Sequence, residues 1–298
     1  MKDTINFGKL PKGQASNSIS NACLVIEGGA FRGVYAQGVT DLLMEHNINT
    51  KCTIGCSAGA LTGMNYVSGQ IGRAININLK YRHDSRYVGW KAINKNRSLI
   101  GFNFVLNEVN EYTPFDLNRF LLSDRQFYAV ATNIETGKPC YFNKADFQLA
   151  VQASASMPFL SKPVMIGESL YLDGGCSDSI PYQWAIEKGY QKIIVVRTRE
   201  RSYRKKAQTQ INLLKYSSLS KKHPVFYQAL KDRPKMYNQQ CDVLEELIER
   251  NQVLCISPSK PVTVSRLEKN LSNLEDLYWM GYQDAEKMLP KLESYLES

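Results

Sequence analysis

Ser57 stands in Gly55-Cys56-Ser57-Ala58-Gly59, the Gly-x-Ser-x-Gly pattern that sets a serine on a sharp strand-to-helix turn with its hydroxyl exposed. The chemistry of that arrangement is nucleophilic attack on an acyl carbonyl. Glycines two residues away on either side remove steric bulk, and the following helix aims its first amide groups at a developing anion. A second pattern, Gly28-Gly29-Ala30-Phe31-Arg32-Gly33, brings backbone N–H groups together into a nest suited to an oxyanion or a phosphate. The same residues approximate a dinucleotide fingerprint, which calls for an acidic residue near the end of the next strand. No Asp or Glu occurs between Glu45 and Asp84, so the nucleotide reading lacks its second requirement where the hydrolase reading gains Ser57. Of the three histidines, His46 ends a helical stretch, His83 lies in a charged segment and His223 follows two lysines. All three read as solvated, although a Ser-Asp-His order through His223 stays open. Cys56 reads as a small buried side chain, and Cys52 with Cys56 makes a poor metal pair.

These residues need elements to hold them. The apolar run 22–26 predicts a buried strand that breaks into the glycine loop, and Val34, Val39, Leu42 and Leu43 recur at helical spacing over 34–46. Strand 51–55 and helix 58–67 repeat that unit around Ser57. Between 71 and 122 the pattern weakens into short helices and a loop excursion around 86–110. Strands 127–134 and 139–142 flank the turn Glu135-Thr136-Gly137-Lys138, helix 145–156 stops at Pro158, and hairpin 163–166/169–172 runs into Asp173-Gly174-Gly175. Helix 182–188, strand 192–196, an amphipathic stretch 225–250, strand 253–256 and helix 274–296 complete the chain. The alternation predicts an α/β fold, a mostly parallel central sheet sandwiched by helices with a largely helical C-terminal third (200–298). Without a linker or internal repeat, residues 20–290 read as a single domain.

The 298 residues, 43% hydrophobic and 22% charged, suit a folded protein with a real core. The unbroken apolar run 22–26 is far shorter than the ~20 residues of a membrane span. Lys2, Asp3, Lys9 and Lys12 leave no apolar block for a secretory signal, and seven scattered cysteines fit a reducing compartment, so a cytoplasmic location is expected. The net charge of +9 favours polyanionic neighbours. Six basic residues (Arg197, Arg199, Arg201, Arg204, Lys205, Lys206) stand against one acid, Glu200, just after the predicted strand 192–196. Ligands of parallel sheets bind beyond the strands' carboxyl ends, so this run is expected at the entrance of the site, where it would meet an anionic membrane peripherally.

Taken in order, 28–33, 55–59 and 173–175 resemble the patatin-like phospholipases, which combine a Gly-Gly-Gly-x-Arg/Lys-Gly loop, a Gly-x-Ser-x-Gly elbow and an Asp-Gly-Gly/Ala motif. Ala153-Ser154-Ala155-Ser156-Met157-Pro158 is similar to the segment that precedes the family's aspartate, and 277–285 resembles the end of its bacterial single-domain members. The resemblance implies a Ser-Asp dyad, with Ser57 as nucleophile and Asp173 as base. It implies an oxyanion hole from Gly28, Gly29 and Ala30 with Arg32 adding charge, and Gly55 and Gly59 shaping the elbow. It further implies a lipid or acyl-ester substrate, no metal, no organic cofactor and no nucleic-acid partner. Ala30 replaces the third loop glycine and needs a permitted backbone conformation. A soluble esterase or thioesterase with the same dyad, and a noncatalytic nucleotide- or phosphate-binding protein, are the competing expectations.

Overall fold

The structure, a computed structural model, describes residues 7–96, 98–206 and 217–297. Lys2 and Asp3 of the polar start, and 207–216 of the helical C-terminal third, lie outside the described residues. The strands are β1 (Gly13–Gln14), β2 (Ser20–Ile26), β3 (Thr50–Cys56), β4 (Gln70–Ile71), β5 (Gln126–Asn133), β6 (Pro139–Phe142), β7 (Val164–Ile166), β8 (Ser169–Asp173), β9 (Ile193–Val196) and β10 (Leu254–Ile256). The helices are α1 (Val34–Glu45), α2 (Ala58–Val67), α3 (Arg73–Tyr81), α4 (Trp90–Asn96), α5 (Val109–Tyr112), α6 (Leu117–Leu122), α7 (Phe147–Ser154), α8 (Tyr182–Glu187), α9 (Ser218–Lys222), α10 (Pro224–Glu249) and α11 (Leu271–Glu297).

The main sheet runs β10-β9-β2-β3-β5-β8-β7, with β6 beside β5. The pairs β10/β9, β9/β2, β2/β3 and β3/β5 are parallel, whereas β6, β7 and β8 join antiparallel. Alternation along β2 explains why both faces are covered: Leu24 and Ile26 enter one apolar cluster with α1 and α11, while Cys23 and Val25 enter another with Trp184, Tyr237 and Leu244. A strand apolar on both faces is stable only when helices bury both.

Two glycines let the last helix close on the first. A Cβ on Gly38 would sit 2.1 Å from the Tyr278 carbonyl oxygen, and one on Gly281 would sit 2.0 Å from that of Tyr35. At this approach the Tyr278 hydroxyl donates to Asp41 (2.8 Å) and the Tyr35 hydroxyl to Asp284 (3.2 Å). Burial raises Asp41 to about 7, against the opposing Gly72 N–H and Tyr278 hydroxyl.

The elements of the sequence reading recur with small boundary changes. The helix expected over 145–156 begins at Phe147, because Lys144–Asp146 forms a 3-10 turn capped by Asn143. The weak stretch 71–122 contains α3–α6 and a π-helical turn at Phe104–Glu108. From β2 the chain moves to its neighbour β3 on one side, and from β9 it moves to its neighbour β10 on the other, so the strand order reverses between β2 and β9. The crevice beyond the carboxyl ends of β2, β3 and β9 is the topological switch point, where ligands of open α/β sheets bind.

Candidate active site

β3 delivers Ser57 into that crevice with φ 56° and ψ −120°, and α2 starts at the next residue. A non-glycine residue at such angles costs about 1–3 kcal/mol and persists only where neighbours hold it. The Ser57 N–H donates to the Ser154 hydroxyl at 2.7 Å, and its carbonyl accepts from Ala60 N–H at 2.9 Å. The flanking glycines are obligatory on contact grounds: a Cβ on Gly55 would lie 2.3 Å from the Gly59 carbonyl oxygen, and one on Gly59 would lie 2.3 Å from that of Ile26.

The Ser57 hydroxyl donates to Asp173 Oδ2 at 2.8 Å. The other carboxylate oxygen accepts the Gly175 N–H at 2.8 Å, and the Asp173 N–H donates to the Ser156 carbonyl at 2.9 Å. Both side chains are buried. Burial raises the Asp173 carboxyl above its ordinary value, opposed by the nearby Arg233 guanidinium, the Ser57 hydroxyl, the Gly175 N–H and Arg266. The segment 153–158 therefore braces both members of the pair, through Ser154 on Ser57 and Ser156 on Asp173. The exposed His46 and His83 and the part-buried His223 line neither of the cavities that meet at Ser57.

The loop after β2 sits beside the elbow, where a Cβ on Gly33 would meet the Ala58 Cβ at 2.7 Å. Gly28 N–H makes a long bond of 3.4 Å to the Ser179 carbonyl and Arg32 N–H bonds the Gly29 carbonyl at 3.2 Å. Among the described residues the N–H groups of Gly29 and Ala30 carry no hydrogen bond. Ala30 adopts φ 51°, the left-handed region that favours glycine. The loop rests on a buried polar network: Glu27 accepts from Thr198 N–H (2.8 Å) and the Tyr237 hydroxyl (2.6 Å), and the fully buried Arg197 lies 3.8 Å from it.

Two cavities meet at the serine, with Ala30, Ser57 and Met157 lining both. One, of about 1380 Å³ including its open mouth, is walled by apolar side chains such as Leu61, Ile77, Phe102, Phe115 and Val151. Much of that wall comes from 71–122. The other, of about 1030 Å³, contains Asp173 together with Arg32, Arg199, Lys205, Arg233 and Arg266. The basic run 197–206 is thus divided by the fold: Arg197 is buried under the loop and Arg199 and Lys205 enter the cavity. Arg201 and Arg204 pair at the surface with Glu245 and Asp242. Sequence reasoning missed Arg233 and Arg266, which no local motif marks; only the packing of α10 and of the loop before α11 brings them to Asp173.

Residues 24–186 match the model of the patatin-like phospholipases, and 223–297 match that of a domain of unknown function (DUF6363). Uncharacterized protein YjjU of Escherichia coli (strain K12) is 29% identical over 182 residues, which cover 59% of this chain and 51% of YjjU. Uncharacterized NTE family protein Rv2565 of Mycobacterium tuberculosis (strain ATCC 25618 / H37Rv) is 28% identical over 183 residues, 59% of this chain and 29% of that protein. The matched stretch thus spans about half of the first relative and less of the second. Among solved structures, VipD from Legionella pneumophila aligns over 98% of this chain and 70% of its own, with a TM-score of 0.48 and 12% identity.

Proposed function

Because the chain belongs to the patatin-like phospholipase family, we propose that it is a lipid acyl hydrolase that works through Ser57 and Asp173 alone, without a histidine, metal or organic cofactor. The observation that carries this reading is the 2.8 Å hydrogen bond from the Ser57 hydroxyl to Asp173, set where the apolar cavity ends. Asp173 takes the hydroxyl proton as Ser57 Oγ attacks the ester carbonyl, and the tetrahedral oxyanion faces the N–H groups of Gly29 and Ala30, with Gly28 and Arg32 beside them. Collapse expels the alcohol, which leaves with the proton from Asp173, and water then attacks the acyl-enzyme with Asp173 again as base. Burial makes Asp173 a stronger base than a solvated carboxylate, which supports its use without an imidazole. The apolar cavity takes the acyl chain, which favours a lipid over a short soluble ester. The reading treats 20–290 as one hydrolase unit, since Arg233 and Arg266 line the same cavity as Ser57. It is a cytoplasmic enzyme that meets its substrate at a membrane surface.

The test is labelling with a fluorophosphonate, mapped by mass spectrometry, beside fatty-acid release from long-chain lipid micelles. Ser57 should carry the label. Ser57→Ala should lose labelling and at least about four orders of magnitude of turnover. Label on another residue, or substantial hydrolysis by the variant, overturns the assignment.

A further inference from the structure

Five cationic side chains, Arg32, Arg199, Lys205, Arg233 and Arg266, line the polar cavity beside Ser57, and only two acids, Glu27 and Asp173, line it with them. Glu27 is engaged by Thr198, Tyr237 and Arg197, and Asp173 by Ser57 and Gly175. None of the five cations has a salt bridge among the described residues. The Nε atoms of Arg32, Arg199 and Arg233 are buried there with no hydrogen-bond partner. Burial, with Arg199 and Arg266 next in effect, lowers Arg32 to about 10, and burial followed by Arg233 lowers Lys205 well below its ordinary value. Arg199 Nη1 donates to the Val262 carbonyl at 2.5 Å and Lys205 Nζ makes a long bond of 3.4 Å to the Ser179 hydroxyl, so two of the five are partly engaged by neutral acceptors and none by a carboxylate of its own. Cations that repel one another, with buried Nε donors left without acceptors, form a site for a multiply charged anion.

We propose that this cavity selects lipids whose head group is a phosphate monoester, and that residues 223–297 supply part of the selecting charge through Arg233 and Arg266. The inference rests on the acyl hydrolase reading. A phosphate monoester carries about −1.5 to −2 charges and three strong acceptor oxygens, which suit guanidinium forks. A choline head group fits poorly on two counts. Its ammonium would enter a field of five cations, and the aromatic faces that could hold it are taken: Arg199 lies over Tyr203 at 4.5 Å and Lys205 over Tyr237 at 3.5 Å. Because Ala30, Ser57 and Met157 belong to both cavities, an ester at Ser57 has its chain on the apolar side and its phosphate on the cationic side.

The experiment uses the full chain with dioleoyl phosphatidic acid, dioleoyl phosphatidylcholine and dioleoylglycerol in one detergent micelle, and reads ratios of kcat/KM. Phosphatidic acid should exceed phosphatidylcholine by at least about tenfold, and Arg233→Gln/Arg266→Gln should lower that ratio by at least about tenfold, the range for hydrogen bonds to a charged group. A ratio is insensitive to a general loss of active protein. Arg266→Gln alone, at an exposed residue, should lower it in the same direction and guards against misfolding of the double variant. Equal rates on the two phospholipids, or a ratio that the variants leave unchanged, overturn the inference. If the ratio is flat yet inorganic phosphate inhibits dioleoylglycerol hydrolysis competitively, the cavity holds free phosphate and the head-group assignment fails. In these cases labelling of Ser57 keeps the dyad standing, whereas no labelling and no hydrolysis of any of the three lipids overturns the hydrolase reading, and the inference with it.

Discussion

Replacing Asp173 by Asn keeps the shape of the side chain and reverses its role toward Ser57. In the native site one oxygen accepts the serine hydroxyl and the other accepts the Gly175 N–H, each at 2.8 Å. An asparagine that keeps the Gly175 bond with its carbonyl oxygen turns its NH2 to Ser57, so the hydroxyl accepts where it had donated. Nothing then takes its proton. General-base assistance is worth about 10²–10⁴ in rate, or about 2.7–5.5 kcal/mol of barrier. That is the expected loss in kcat/KM for a short-chain nitrophenyl ester. Stability should move the other way. The folded carboxyl is raised above its ordinary 3.8, mainly by burial. A group shifted in that direction contributes stability that is fully present below the unfolded pKa and is lost as pH rises through the folded value. Ionised Asp173 is therefore a net cost to the native state at neutral pH, and Asn removes it. The variant should melt no lower than wild type at about pH 7, with its advantage shrinking toward about pH 3, where the wild-type carboxyl is protonated in both states. Retention of more than about a tenth of the activity would refute the base assignment, since it falls outside the range for losing one. A fall in melting temperature large enough to explain the loss would refute the argument from burial.

Ala30→Gly should stabilise the protein by about 0.5–1 kcal/mol, because left-handed backbone costs an L-residue about 1–2 kcal/mol and the freer unfolded glycine takes back about 0.4–1 kcal/mol. Urea unfolding reads this directly, and equal or lower stability would contradict the φ of 51° at this residue. Replacing His46, His83 and His223 together by Gln should leave kcat/KM within about threefold, because none lies where a base must reach the serine proton. A loss from His223→Gln comparable to that of Asp173→Asn would restore a triad.

The part of the site that was legible in the sequence is the part made by chain-local geometry. Gly55, Ser57 and Gly59 lie within five residues, the strand and helix that hold them were readable over 51–55 and 58–67, and those around the glycine loop over 22–26 and 34–46. Contacts then explain the spelling: the glycines are where another backbone passes within van der Waals distance, at Ile26 for Gly59 and at Tyr278 for Gly38. Asp173 was different. An aspartate before two glycines is common in turns, and only its order after the elbow and loop, through a family resemblance, singled it out.

What stayed illegible was the lining of the two cavities, and the reason is physical. Helical and strand periods appear when one face of an element meets a core and the opposite face meets water. Residues such as Ile77, Tyr87, Leu99, Phe102, Leu106 and Phe115 face a cavity from short helices and loops set at different angles, so their apolar positions follow the cavity's outline and not the repeat of any element. The weak pattern over 71–122 is thus the signature of a wall. The cationic lining is hidden for the opposite reason. Arg233 lies on the amphipathic helix α10, where charges are expected at the surface, and its neighbours along the chain give no hint that this one turns toward Asp173. That five cations share one cavity with no salt bridge among the described residues becomes visible only when segments more than 200 residues apart in sequence, from Arg32 to Arg266, are brought together. On the proposed reading the loop, elbow and aspartate lie within 24–186, while Arg233 and Arg266 reach the cavity from 223–297 and act on Asp173 only through their charge, so selectivity among lipids is the role the proposal gives to the C-terminal segment.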